Sequence, residues 1–309
     1  MKSAALDELS AKLGCEVRLN EPLSEYTTYR IGGPASAMVF PRSAEDVAAA
    51  VRFARETETP YLILGLGSNV LIADRGFDGI VIRIGKGMDR LERVGEGTVW
   101  RAGAGLPTPI LARRTAAAGQ AGVHLLVGVP GTVGGGVFMN AGAHGQEFGR
   151  VVREVKLVDS AGEYRTLKGE EIAWRYRASG LDSNVVVEAI VELEASDPGE
   201  LKEEVARHLR WRKAGTPFTQ PCCGSVFRNP SPPGTSRGAP GKTAGQLIDA
   251  AGMKGFTVGK AQVSPKHANY IVNLGGATAA EVLAVIEAVR ERVLKEFGIE
   301  LELEVKVIA

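Results

Sequence analysis

Ser225, Arg177 and Glu304 are the side chains of this 309-residue chain with the most chemical promise. Ser225 lies in GSVFRNP, after a Cys222-Cys223-Gly224 turn and before an apolar pair, with Arg228 and Asn229 close behind. Arg177 stands beside Tyr176 in WRYRAS, residues 174–179. Glu304 belongs to the closing stretch ELELEVKVI, in register with Glu302 and Lys306 and opposite Leu301, Leu303 and Val305. Each also has an ordinary structural reading. A serine after glycine can be a turn residue, an arginine among aromatics can simply stack, and a glutamate can line the wet face of a strand. Ser225 is not read as a hydrolase nucleophile, because it lacks Gly-x-Ser-x-Gly surroundings and no histidine adjoins it.

Two glycine-rich stretches offer a different chemistry, the holding of an anion. Gly128 to Gly145 contains seven glycines with Val129, Val133, Val137, Phe138 and Met139 among them. Successive bare N–H groups make concave nests for phosphate, and Asn140 adds an amide. The apolar residues argue against a linker, and a regular helix or central strand is not expected, because glycine weakens both. The other stretch, YLILGLGSNVLIAD over 61–74, leads a strand into Gly65-Leu66-Gly67-Ser68-Asn69. A dinucleotide fingerprint would need a third glycine opening a helix. Val70 stands there with a β-branched run behind it, which excludes a Rossmann site. A tight turn holding a diphosphate and a plain β-turn both remain open. Gly241-Lys242-Thr243 imitates the end of a P-loop, but the motif's first glycine would fall on Ser236 and no strand precedes it.

A scaffold must position these groups. Composition is that of a soluble globular chain, 44% hydrophobic and 24% charged. A net charge of +1 gives no electrostatic case for nucleic acid or an anionic membrane. No apolar run approaches the roughly 20 residues of a membrane span, and MKSAALDELSAKLG lacks an apolar signal core, so the cytoplasm is expected. Cys15, Cys222 and Cys223 are an odd set without metal-ligand spacing, and the four histidines are scattered, so no metal is expected. The length predicts about two domains. Helical spacing marks 4–13, the stretch after Ser43, 107–118, 200–213, 243–251 and 278–297, the last with Val282, Val285, Val289 and Val293 on one side. Strands are expected at 35–40, 62–64, 70–73, 80–84, 97–103, 184–194, in HANYIVN at 267–273 and over the closing stretch, with a hairpin of 151–158 and 163–167. The Pro/Gly/Ser-rich stretch 229–242 reads as a mobile loop.

TYRIGG, GLGSN, GVPGTVGGGVFMNAGAHG, WRYRAS, GSVFRNP, AGQLIDAAGMKG and the final Glu304-Val305 strand, in that order, resemble the UDP-N-acetylenolpyruvoylglucosamine reductases (MurB) from about Tyr26 to Ile308. GLGSN is shared with other flavoproteins of the same fold, whereas GSVFRNP together with WRYRAS is far more specific. The region after Ser179 runs straight into a strand, as in the shorter second type that lacks a tyrosine-bearing insertion. His144 stands where many relatives have a tyrosine.

The resemblance implies an α+β chain. Residues 1–198 would be a two-part FAD-binding domain of the PCMH/vanillyl-alcohol-oxidase type. Residues 199–309 would be a smaller substrate-binding domain whose final strand returns Glu304 to the active site. It implies non-covalent FAD, NADPH as hydride donor, and the enolpyruvyl ether of UDP-N-acetylglucosamine as substrate, in a monomer. Residues carried over for FAD are Arg30, Gly65, Leu66, Gly67, Ser68, Asn69, Val70, Leu71, Gly103, Val129, Pro130, Gly131, Thr132, Gly134, Gly135, Asn140, Ala141 and Gly142. Gly134 is expected to leave room for the cofactor. Tyr176, Lys213, Arg228, Asn229 and His267 are carried over for the substrate. Arg177 and Glu304 would hold and polarise its carboxylate, and Ser225 would protonate the enolate that hydride addition builds. The residues themselves leave two other readings open: a sugar or alcohol oxidase of the same fold, with flavin linked to a histidine, and a non-catalytic nucleotide-sugar-binding protein.

Overall fold

The structure is a computed structural model that describes Leu9, residues 11–230 and residues 241–309. Most of the helix expected at 4–13 and most of the 229–242 loop therefore lie outside the described residues, as does Ser236. The chain forms two compact units. One comprises Met1–Glu21, Ala35–Leu66 and Asp78–Trp211; the other comprises Pro22–Pro34, Gly67–Phe77 and Arg212–Ala309.

The first unit contains two sheets. In the smaller, strands Glu16–Pro22, Pro34–Phe40, Phe77–Arg83 and Tyr61–Leu64 lie side by side in that order. The last two are parallel, Tyr61 opposite Ile80 and Leu64 opposite Arg83. Parallel neighbours need a crossover or outside connection. Helix Ala44–Glu56 precedes Tyr61–Leu64, with Ser43 Oγ accepting the N–H of Asp46 as its N-cap. It buries Val47, Val51 and Phe53, each contributing about 1.5–3 kcal/mol by removal from water. The larger sheet is antiparallel, in the order Tyr164–Lys168, Val152–Val158, Val185–Glu192, Val99–Gly103 and Leu91–Arg93. The expected hairpin is present, and Asp159 organises its turn. One carboxylate oxygen accepts the N–H groups of Ala161 and Glu163, and the other accepts Arg165 Nε at 2.6 Å.

Helix Val133–Phe138 occupies the middle of the glycine-rich run, where a regular helix was not expected. The reason is tertiary. A Cβ on Gly136 would lie 2.4 Å from the Phe148 ring, and one on Gly134 would lie 2.8 Å from Ala104 Cβ. The helix contains glycine because its neighbours stand where side chains would be. Close packing there offsets the roughly 0.5–1 kcal/mol that each helical glycine costs.

In the second unit, strands Thr257–Val258, Ala261–Val263 and Ile271–Asn273 form an antiparallel meander. Helix Ala279–Phe297 buries Val282, Val285, Ile286, Val289 and Val293, so the expected apolar stripe faces the core. Thr278 caps it with a reciprocal bond from Glu281, and the Asp74 carboxylate accepts the N–H groups of Ala279 and Ala280. Helix Ala244–Ala250 starts at the Thr243 cap, so Gly241-Lys242-Thr243 does open a helix. The closing stretch is only partly a strand. Lys306–Ile308 pairs in parallel with Val70–Ile72, while residues 301–305 make a single bridge, Leu303 to Phe227. Among the described residues no helix is long and apolar enough to cross a membrane, and no cluster of His, Cys, Asp and Glu could hold a metal ion.

Candidate active site

In the first unit the two glycine-rich stretches meet. A Cβ on Gly65, just past strand Tyr61–Leu64, would lie 2.6 Å from Thr132 Oγ1. Thr132 caps the glycine helix through the N–H of Gly135. Gly135 is the open position of that helix, since its Cβ would meet only Thr132 Oγ1, at 3.7 Å. Gly134 is different: the space it leaves is filled by Ala104, so packing, not room for a cofactor, explains the need for glycine there. Gly103 and Gly142 likewise have Met88 O and Gln146 O at 2.2 and 2.7 Å from a built Cβ. Bare backbone around Gly65, Thr132 and Gly135 fits the diphosphate of a dinucleotide.

Asn140 is 1% exposed and left-handed, with φ at +42°. Its Nδ2 donates to Arg175 O at 3.0 Å, and its Oδ1 accepts the N–H of Gly149 at 2.9 Å. The amide proposed for cofactor contact therefore ties the WRYRAS turn to the glycine-rich run. Ser179 Oγ ties the other side, donating to Phe138 O at 2.7 Å. Between these anchors Arg175 and Ala178 exchange two backbone bonds, and Arg177 is forced to φ +57°. A non-glycine residue held there costs about 1–3 kcal/mol, and such strain clusters at functional sites. The Arg177 guanidinium lies 4.9 Å from the centre of the Tyr176 ring.

In the second unit Ser225 and Glu304 are brought together by backbone. The N–H groups of Glu304 and Val305 both donate to Val226 O, at 2.8 and 3.3 Å. Arg228 N–H donates to Glu302 O. Asn69 of GLGSN completes the clamp: its Nδ2 donates to Glu304 O at 3.1 Å, and its carbonyl accepts Lys306 N–H. On the opposite side Asn269 binds Phe227 twice through its amide and accepts Val226 N–H on its own carbonyl. Thr28 of TYRIGG holds the preceding turn, accepting Cys222 N–H and returning its hydroxyl to Cys222 O at 2.7 Å. Sequence reasoning missed Asn269 and Thr28. A polar residue inside the apolar HANYIVN run was the available signal for the first.

The residues expected at the substrate have varied settings. Arg228 pairs with exposed Glu302 at 3.8 Å, and its Nε is buried without a partner. Asn229 Oδ1 accepts the N–H of Ala244, at the start of helix Ala244–Ala250. His267 stacks edge-on against Tyr270 at 4.8 Å, and burial lowers its pKa, reinforced by Arg212 and Lys254. Lys213 is exposed and offers its carbonyl to Lys266. Arg30 is exposed with φ at +55°.

Comparison with known proteins interprets this geometry. Residues 35–168 match the FAD binding domain family, and residues 216–308 match the C-terminal domain of UDP-N-acetylenolpyruvoylglucosamine reductase. The chain is similar to the reductase of that name from Halalkalibacterium halodurans, at 41% identity over 95% of this chain and 94% of that one. It is similar to that of Heliobacterium modesticaldum at 44% identity, over 93% and 89%. The chain belongs to the UDP-N-acetylenolpyruvoylglucosamine reductase family. The crystal structure of the MurB of Thermus caldophilus covers 96% of this chain and 99% of its own, with a TM-score of 0.78 at 34% identity. A berberine bridge enzyme variant shares the fold alone, with a TM-score of 0.50 at 14% identity over 63% of this chain. This MurB chain thus has the α+β, two-part FAD-binding fold of the PCMH/vanillyl-alcohol-oxidase type, and its cofactor is FAD. His144 sits at φ +52° with its ring 4.2 Å from His208 and 5.0 Å from Trp211. Near Ser225, burial raises the thiol pKa of Cys222, and raises that of fully buried Cys223 further. Neither is a thiolate at neutral pH, as a nucleophile or redox partner would need to be.

Proposed function

We propose that Ser225, Arg177 and Glu304 form the reacting centre with which this FAD-dependent oxidoreductase reduces the enolpyruvyl ether of UDP-N-acetylglucosamine to UDP-N-acetylmuramate. Bound FAD would supply the hydride chemistry, with NADPH as the hydride donor and the vinyl carbon of the substrate as the acceptor. The protein must manage the charge that results. Addition at the vinyl carbon leaves an enolate on the substrate carboxylate side, which needs a cation or hydrogen-bond donors, followed by a proton at the adjacent carbon. Arg177 holds and polarises the carboxylate, with the Glu304 carboxyl assisting. Ser225 gives the proton.

The observation that carries this reading is the shared Val226 carbonyl, which places the Glu304 backbone one residue from Ser225. Tyr176, Lys213, Arg228, Asn229 and His267 bind the carboxylate, diphosphate or uridine. Residues 65–71 and 128–142, with Arg30 and Gly103, hold FAD non-covalently. We keep 1–198 as the FAD-binding domain and 199–309 as the substrate domain, in a monomeric cytoplasmic enzyme. The test is the visible spectrum of purified protein. NADPH should bleach the flavin, and the enolpyruvyl substrate should restore its colour without oxygen. A colourless protein that binds the UDP-sugar would instead be a binding module, and rapid recolouring by oxygen alone would mark an oxidase.

A further inference from the structure

Left-handed backbone is uncommon outside glycine, yet Asn140 at φ +42° and Arg177 at φ +57° belong to one hydrogen-bonded assembly. Arg177 is the third residue of the turn Arg175–Ala178, whose ends exchange backbone bonds of 2.8 and 3.1 Å. A positive φ at that place ordinarily calls for glycine or asparagine. An arginine there is strained, and such strain lasts only where its surroundings over-determine it. Here they do. The Asn140 amide donates to Arg175 O at 3.0 Å, the same carbonyl that accepts Ala178 N–H across the turn. The Asn140 side-chain oxygen is held in turn by Gly149 N–H at 2.9 Å. A Cβ on Gly149 would lie 2.8 Å from the ring of Trp174, the residue before the turn, and Trp174 Nε1 donates to Gly169 O at 2.8 Å. Beyond the turn, Ser179 Oγ donates at 2.7 Å to the carbonyl of Phe138, two residues before Asn140. Asn140 and Ser179 are 1% and 2% exposed, so water does not readily replace either tie.

We propose that Asn140 is the positioning residue of Arg177, with Ser179 as the second tie, and that the two hold the turn in its left-handed form before substrate arrives. This rests on the role given to Arg177 above. The effect of the ties is on population. Without them the turn relaxes to less strained forms, and only a fraction of molecules presents Arg177 ready for the substrate carboxylate. Apparent affinity falls by that fraction, and saturating substrate restores the arrangement. The defect is therefore in half-saturation and spares the saturated rate, whereas loss of Arg177 itself damages both.

The experiment uses the FAD-loaded full chain, reduced with NADPH without oxygen and mixed in stopped flow with increasing enolpyruvyl-UDP-N-acetylglucosamine. Asn140→Gly accepts the positive φ and removes both amide bonds. It should raise the half-saturating concentration for flavin reoxidation by about 10- to 100-fold. Ser179→Ala leaves Asn140 intact, removes the other tie and should raise it by about 3- to 10-fold. The saturated rate should stay within about threefold of wild type in both. UDP-N-acetylglucosamine, which lacks the carboxylate, should bind both variants as tightly as wild type in calorimetry, a selectivity no packing role would produce. Wild-type half-saturation in both variants would overturn the proposal. So would an equal weakening of UDP-N-acetylglucosamine, which would make Asn140 a packing residue. Should Asn140→Gly fail to hold FAD, Ser179→Ala decides by the same two readings. An Arg177→Ala variant with wild-type half-saturation and rate would instead remove the role of Arg177, and a wild-type enzyme inert toward this substrate would remove the reaction itself.

Discussion

The glycine helix of residues 133–138 and the segment 225–229 both lie in motifs that mark the family, yet they are built on opposite principles. In the first, absent side chains matter: Ala104 and Phe148 occupy the places where Gly134 and Gly136 would project. In the second, backbone partners matter: Val226 and Phe227 are bonded to Asn269 on one side, and Val226 and Arg228 to residues 302–305 on the other. Substitution should therefore break the glycine helix through volume and the serine segment through lost hydrogen bonds or lost chemistry. A motif's composition does not reveal which applies.

The sharpest break in that contrast is Ser225→Ala, which removes one oxygen and no packing. The variant should fold, bind FAD and be bleached by NADPH near the normal rate. Its reoxidation by the enolpyruvyl substrate should be about 100- to 10,000-fold slower, the usual worth of a placed acid. Ser225→Cys, which can still donate, should be less damaged, and stopped-flow traces of the two half-reactions decide the matter. Gly136→Val should be the largest structural loss, at ~3 kcal/mol or more, because a Cβ 2.4 Å from Phe148 forces ring and helix apart. Gly134→Val should likewise lose FAD, through Ala104. Gly135→Ala supplies the control: with its Cβ in open space it should stabilise the apoprotein by about 0.5–1 kcal/mol while weakening FAD. Thermal unfolding and flavin content separate the three, and equal damage at 135 and 136 would abolish the distinction drawn here.

Asn269→Ala should cost about 1–3 kcal/mol for each backbone group of Phe227 left buried and unpaired. Denaturant unfolding measures it, and a loss below ~1 kcal/mol would mean that residues 302–305 hold the segment unaided. Replacing Cys222 and Cys223 together with serine should change turnover by no more than about tenfold, ~1.4 kcal/mol in the barrier. Loss of flavin reduction in that variant would make the pair a redox couple after all. The smallest effect is the pH dependence at the hairpin turn of the first unit. The Arg165 hydrogen bond, joined by the N–H of Glu163, holds the Asp159 carboxyl below its ordinary range. A depressed carboxyl contributes stability above its unfolded pKa of about 4, lost as pH falls through the folded value. Asp159→Asn should flatten the acid side of the stability curve, and an unchanged slope below pH 4 would show that the turn contributes nothing.

Much of this could be read before any coordinates. Periodicity found the helix expected at 278–297 and observed at Ala279–Phe297, with its valine stripe, because 3.6-residue spacing is a local property. The hairpin of 152–158 and 164–168 was legible for the same reason, with strand propensity on either side of Asp159-Ser160-Ala161-Gly162. Glu300 to Val305 misled, since its alternation promises a strand. In the folded chain Leu303 makes one bridge to Phe227, and the N–H groups of Glu304 and Val305 share a single carbonyl, that of Val226.

The sequence by itself determined the family, which the order of its motifs identifies, and it offered the serine, the arginine and the carboxylate of the proposed reaction. Only the tertiary structure decided why those residues stand where they do. Asn140 holds the Arg177 turn rather than presenting its amide freely, Asn69 carries the backbone of Glu304, and Asn269 grips Phe227 from 42 residues away in the chain. The physical reason is range. Turn chemistry and periodicity act over a few residues and are written in composition, whereas excluded volume and shared hydrogen bonds depend on which distant backbone comes alongside.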